Sequence, residues 1–599
     1  MYKPAPPRRK QTSITRTRSG CKDCRQRRVK CDEKKPACGA CVRRNKICEE
    51  WDSGFHFRNV SLSTETSSRS IPSPQKVVWK TPRLKHSKER PSDDASNLPQ
   101  DPKQLGPGER TAAVSFSLAE VPSGPSLPSS TSLPTSSLGN FDIIRSLNRS
   151  ENELFYMTHW DASCLGALDG FFQEITFIND DYLPFKHAIL ALSASNMSRL
   201  RPEKGSSLAT TSSHRPHPHH QITGQMYYTS AVSQVARMIK KTTPQSTSHT
   251  LAVLVIFCYI ESTMGTFPGF ACHSEGIEAF FRANWGALST DTGHRLLSAY
   301  ILARHQNWWR RQNFTSFDLQ LNQPPMNLSQ NTVDILHSVG AQRTLITSIL
   351  CESYRLSTMA HLQLWDDLRQ GLNPSIAGFI YSLRCESKRL GDWESMLLSA
   401  ELPFESSITF EIPGRGHHKG LVFGTHSAAM NYAYYVAARI MHCLDPDSEK
   451  TMILHWMTIL IRIVFCLGQK DCVQRNVYSI GVSSLLMACI LRCNDIYIGQ
   501  WVETWLRELS HLSVLEEGSF PIAQALAVVS LLNKERSVGT EIYAIGLDKD
   551  DGGGFGKYSS YNSQILCGVM IKGCEKSTGK FFCRYRCLEA SASQQNRYN

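Results

Sequence analysis

Six of the 20 cysteines in this 599-residue chain lie between positions 21 and 48, and their spacing constrains the fold more than any other feature. CKDCRQRRVKC (21–31) is followed, after DEKKPA, by CGACVRRNKIC (38–48). Cys21, Cys24, Cys31, Cys38, Cys41 and Cys48 therefore form the same C-x2-C-x6-C unit twice. A unit repeated in this way predicts a pseudo-symmetric object. Thiols this dense serve as disulfides or as metal ligands. Disulfides require an oxidising compartment, and the N-terminal MYKPAPPRRK leads into no apolar segment that would direct secretion. An intracellular chain with thiolates on a soft metal is expected.

Counting ligands defines the site. Tetrahedral zinc takes four ligands, and a C-x2-C pair supplies two from one turn of chain. One zinc leaves two thiolates idle. Two zincs need eight bonds from six sulfurs, so two sulfurs must bridge. The adjoining Lys and Arg balance the excess thiolate charge. So short a stretch buries no adequate apolar core, and metal must supply its folding free energy, on the order of 10–16 kcal/mol per structural zinc.

The stretch SGCKDCRQRRVKCDEKKPACGACVRRNKICE (19–49) resembles the DNA-binding domain of the fungal zinc binuclear cluster transcription factors, with all six cysteines in register. The resemblance implies two Zn2+ per cluster, bridged by the first and fourth cysteines, here Cys21 and Cys38, and a loop proline at Pro36. Short helices are expected over 22–29 and 39–46. By the same resemblance the first helix points its C-terminal end into the major groove of double-stranded DNA. Arg27 and Arg28 then contact the bases of a CGG triplet, while Arg25 and Lys30 hold phosphates, which orient the module without reading sequence. Arg28 stands where Lys is commoner, and Arg keeps the bidentate pairing to guanine.

Charge agrees with a polyanionic partner. Residues 1–50 carry 16 Lys and Arg against 5 Asp and Glu, a net of +11 within a chain total of +13. We assign 1–20 to a basic arm, 21–48 to the cluster, and 49–140 to a linker whose Ser- and Pro-rich composition predicts disorder. The basic runs PPRRK (6–10) and 76–90 read as solvated charge or an import signal. No apolar heptads persist over the ~3–4 repeats a coiled coil needs, which leaves dimerisation open.

From 141 to 535 the apolar period is helical. HAILALSASNM (187–197), MYYTSAVSQVARMIKK (226–241) and HSAAMNYAYYVAARIMHC (426–443) are uninterrupted helix signatures, and Tyr228, Val232, Val235 and Ile239 share a face, as do Leu147, Leu154 and Met157. With LAVLVIFCYI (251–260), which stops at Glu261 short of a membrane span, these segments resemble the fungal-specific regulatory domain. That domain implies coregulator proteins or a small-molecule effector as partners. Cys258 and Cys466 sit in apolar runs and read as core. The segment 536–599, with Gly, Asp, Cys567, Cys574, Cys583 and Cys587, reads as a disordered tail, its cysteine spacing matching no ordinary zinc pattern.

No G-x-S-x-G or H-E-x-x-H occurs, and DGGGFGK (551–557) lacks the first glycine of a phosphate loop, so no enzyme is expected. His214, His217, His219 and His220 read as a polar loop between helices. The expected fold is a small zinc-stabilised binuclear cluster domain plus a large all-α regulatory domain, joined by a disordered linker. The expected function is a nuclear, RNA polymerase II type transcription regulator that reads CGG-containing sites. The alternative is a zinc-dependent scaffold with non-specific nucleic-acid binding and a protein-binding helical domain.

Overall fold

In a computed structural model the chain divides into two compact units, residues 1–126 and 127–599. The described residues are 21, 24, 31–32, 37–44 and 48 of the first. Of the second they are 138–588, apart from 169, 179–181, 201–202, 205–213, 240–243, 265–266, 313–314, 445–448, 513, 515, 519 and 549–567. The arm 1–20, the linker up to 137 and DGGGFGK lie outside the described residues.

The second unit is mostly helical and is built around one large apolar core. The three quoted signatures fall in helices Leu183–Leu200, Pro218–Met238 and His426–Met441. Helix Pro244–Met264 contains 251–260, every residue of which is buried. By length and hydropathy its Thr247–Met264 window passes for a membrane span, yet 83% of it lies inside the protein. An apolar surface on all sides marks a helix at the centre of a core. Helix Gln342–Arg369 packs against Asp291–Gln312, Ala377–Ser395 and His426–Met441. Local chemistry starts several helices: Ser329, Thr425 and Asp495 accept backbone N–H groups from Thr332, Ala428 and Ile498.

Some positions differ from the periodic reading. Leu154 is 69% exposed, and Tyr156 and Trp160 turn inward in its place. Ile239 is exposed while Tyr228, Val232 and Val235 face the core. The histidine segment does not form a loop throughout: Pro218 occupies the first turn of a helix, and His220 Nδ1 pairs with the Tyr156 hydroxyl at 2.8 Å. Cys258 is buried as expected, and Cys466 is half-buried. The body also contains an antiparallel hairpin, Phe404–Ile412 with Gly416–Val422.

The largest correction concerns the segment after 536. Strands Thr540–Gly546, Gly568–Glu575 and Lys580–Cys587 form a three-stranded antiparallel meander, with Thr540 opposite Glu575 and Glu575 opposite Lys580. The sheet is stitched to the helices. Trp365 Nε1 donates to the Gly573 carbonyl (3.1 Å), the Lys572 ammonium lies 4.5 Å from the Trp365 ring centre, and Leu547 N–H donates to the Thr315 carbonyl (2.9 Å). On the last strand, Arg584 and Arg586 donate to the buried carboxylate of Glu535. Those two arginines occupy places where an apolar alternation would have announced a strand.

Buried carboxylates organise the core elsewhere. Glu517, 1% exposed, accepts from the backbone N–H of Val482 (3.0 Å) and Ser483 (2.8 Å), the Ser483 hydroxyl (2.7 Å) and the Asn476 amide (2.7 Å). It thereby closes the N-terminus of the fully buried helix Val482–Ile490. Gly518 makes the approach feasible: its φ is +61°, and an added Cβ would fall 2.3 Å from Gly481 Cα.

Two outcomes are expected. Glu517→Ala strands at least two buried N–H donors at about 1–3 kcal/mol each, lowering the denaturation midpoint at unchanged m, and Glu517→Gln restores part of the loss. Burial raises the Glu535 carboxyl, but Arg586 and Arg584 outweigh it and hold the group below the ordinary glutamate value. A depressed folded pKa contributes stability that is present above the unfolded value of ~4.3 and lost as pH falls through the folded value. Protection factors of the amides in 581–586, corrected for intrinsic rates, should therefore fall in acid below about pH 4. Glu535→Gln should show the lowered protection already at neutral pH; equal protection in both proteins would refute the clamp.

Candidate metal centre

The second C-x2-C pair sits at the start of a short helix, Gly39–Val42, with Cys38 at its N-cap and a turn through Arg43 and Arg44. This helix is shorter than the 39–46 expected, and 45–47 lie outside the described residues. Cys41 N–H donates to the Cys38 carbonyl at 2.9 Å, folding both thiols to the same side. Cys38 N–H donates to the Cys48 sulfur at 3.3 Å, which ties the end of the unit back to its beginning.

All six sulfurs converge. Cys21, Cys24, Cys31 and Cys38 have sulfurs within 4.8 Å of one another, and so do Cys21, Cys38, Cys41 and Cys48. The two groups share Cys21 and Cys38. Measured separations are 3.7 Å for Cys21–Cys38, 3.6 Å for Cys21–Cys41 and 3.6 Å for Cys24–Cys38. Four sulfurs at ~2.3 Å from a tetrahedral zinc lie about 3.8 Å apart, so this spacing is the edge of a ZnS4 tetrahedron. All six thiols are free of disulfides. The donor set therefore fits two zincs with two shared sulfurs.

The electrostatics ask for cations. The Cys41 backbone N–H directed at its sulfur holds the Cys38 thiol down at about 6. Burial among the other sulfurs pushes Cys41 up. A set of touching thiols cannot ionise together unless metal replaces the protons.

Asp32 was not singled out from sequence. Its carboxylate accepts the Gly39 N–H through both oxygens, at 3.0 and 3.1 Å, and so links the first half-unit to the helix of the second. A Cβ on residue 39 would come 2.8 Å from Asp32 Oδ2, which accounts for glycine there. The available signal was a carboxylate just after Cys31, seven positions before a glycine that opens a helix. Arg25, Arg27, Arg28, Lys30 and Pro36 lie outside the described residues. Among the described residues, Cys574, Cys583 and Cys587 do not gather: the sheet register sets them opposite Phe581, Lys572 and Gly568.

Residues 19–54 match the fungal Zn(2)-Cys(6) binuclear cluster domain, which binds two zinc ions. Over 63 residues the chain is 44% identical to a transcriptional regulatory protein of Schizosaccharomyces pombe, covering 10% of this chain and 11% of that one. It is 45% identical over 56 residues to transcription activator AMTR1 of Alternaria alternata, covering 9% and 7%. White-opaque regulator 2 of Candida albicans is 61% identical over 33 residues, covering 6% and 7%. The chain thus spans about a tenth or less of these relatives. No solved structure matches it.

Zinc content should follow the sharing of sulfurs. Cys24→Ser removes a ligand from one group and should retain about one zinc per chain, whereas Cys38→Ser removes a ligand from both and should lose both ions. Asp32→Ala should weaken the fold of the cluster by about 1 kcal/mol, seen as faster zinc loss to a chelator. Equal zinc content in Cys24→Ser and Cys38→Ser would refute the shared-sulfur arrangement.

Proposed function

We propose that the protein is a nuclear, DNA-binding transcription regulator of the RNA polymerase II type, with no enzymatic activity of its own. The observation that carries this reading is the six-sulfur cluster with two shared members, in a segment of net charge +11 that matches a DNA-binding family. Cys21, Cys24, Cys31, Cys38, Cys41 and Cys48 hold the two zincs, and the zincs hold the first half-unit in the shape that meets DNA. Arg27 and Arg28 read guanines of a CGG triplet in the major groove, and Arg25 and Lys30 bind flanking phosphates. The linker over 49–140 tethers the cluster to the helical body, which receives coregulators or a small effector.

Full-length, zinc-loaded protein presented with a random duplex pool should enrich CGG, and chelator should abolish the enrichment. Arg28→Ala should cost roughly 1–3 kcal/mol and relax preference at one guanine. Arg25→Ala should weaken all sites alike and lower the salt dependence by about one phosphate's worth. Salt-sensitive binding with no enriched sequence would replace this reading with that of a non-specific scaffold.

A further inference from the structure

Outside the cluster, one cavity of the second unit lies between the helices and the terminal sheet and is lined by several buried polar side chains. Arg492, Gln312, Gln320 and Thr358 line it, with Phe520 and Val528 on the apolar side. Arg492 is 3% exposed. Its Nε donates to Ser357 Oγ (3.1 Å), Nη1 to the Tyr543 carbonyl (3.1 Å) and Nη2 to Thr358 Oγ1 (3.3 Å). All three acceptors are neutral, and among the described residues no carboxylate pairs with the guanidinium. Three of its five N–H donors are engaged, leaving two. Burial lowers it only to about 10, so it remains charged at neutral pH. A buried charge without a counter-charge is costly to the fold.

Gln312 stands on the same wall, 2% exposed, and neither its amide nitrogen nor its side-chain oxygen has a partner among the described residues. Gln320 gives its amide nitrogen to the Ile545 carbonyl (3.0 Å), and its side-chain oxygen has no partner among the described residues. A cation without an anion and an unused amide donor beside the same space describe a site for a ligand that supplies negative charge and acceptors. The cavity volume is about 30 Å³, room for a group of a handful of heavy atoms and too little for a nucleotide or a sterol.

We infer that this cavity binds a small planar oxyanion, a short-chain carboxylate or nitrate, on Arg492 and Gln312. A planar oxyanion matches the guanidinium fork, and the Gln312 amide donates to an oxygen the fork leaves over. Since Arg492 and Gln320 also hold the Tyr543 and Ile545 carbonyls, the bound anion sits where the terminal sheet meets the helices. The inference goes beyond the DNA-binding reading and does not depend on it.

The test is calorimetric titration of the full-length, zinc-loaded protein with sodium acetate, sodium pyruvate or sodium nitrate, against sodium chloride at equal ionic strength. One saturable site is expected, with chloride markedly weaker; acetate or pyruvate without nitrate assigns a carboxylate ligand, and nitrate alone assigns the inorganic ion. Gln312→Leu should weaken binding roughly tenfold while keeping the wild-type melting temperature, because the amide it removes has no protein partner. Arg492→Gln should abolish binding. Absence of saturable binding to any of the three anions, leaving water as the occupant, would overturn the inference. So would unchanged affinity in Gln312→Leu.

Discussion

Sharing of two sulfurs between two tetrahedral sites is the constraint on which the N-terminal unit depends. Six thiolates satisfy two four-coordinate ions only if two of them count twice. The structure places Cys21 and Cys38 in both groups of four, and they are the first cysteine of each half-unit. Each half-unit therefore opens on a shared ligand. The rest of the module serves that arrangement: Asp32 reaches across to Gly39, and Cys38 N–H reaches to the Cys48 sulfur. With so little apolar surface, these bonds orient ligands, and metal supplies the folding free energy.

The helical body meets the opposite problem. Its apolar core is ample, and its architecture turns on a few buried charges that must be satisfied inside it. Glu517 finds four donors at one helix end, and Glu535 finds two guanidinium groups on the last strand. Each fastens segments distant in the chain, because a buried carboxylate left alone costs more than ordering the groups that pair with it. Arg492 is held by neutral acceptors only, as is Arg536 at the Ile490 and Leu491 carbonyls, and of the two it is Arg492 that lines the cavity beside Gln312.

Legibility from sequence followed the locality of the interactions. The cysteine spacing is local, and so are the helix signatures at 187–197, 226–241 and 426–443, whose apolar period survives without knowledge of any partner. Leu154 reads as core because hydrophobicity is visible, whereas the side chosen by the helix is set by what packs beside Tyr156 and Trp160. The segment KFFCRYRC reads as a tail because Arg584 and Arg586 look solvated until Glu535, about 50 positions earlier, is brought against them. Asp32 was invisible for a related reason: an exposed acidic residue acquires its role only once the second half-unit folds back on the first.

The amino-acid sequence by itself determined the donor set, the number of metals it demands, the basic character of the first 50 residues and the helical character of the body. These depend on residue type and spacing along the chain, and both are written directly in the sequence. Tertiary structure alone decided that Thr540–Gly546, Gly568–Glu575 and Lys580–Cys587 form a sheet joined to the core. It also decided that Glu517 and Glu535 are buried fasteners, and that Arg492, held by neutral acceptors, shares a cavity with Gln312. Burial and pairing across long separations depend on which distant residues meet, and a buried charge takes its meaning from that neighbour.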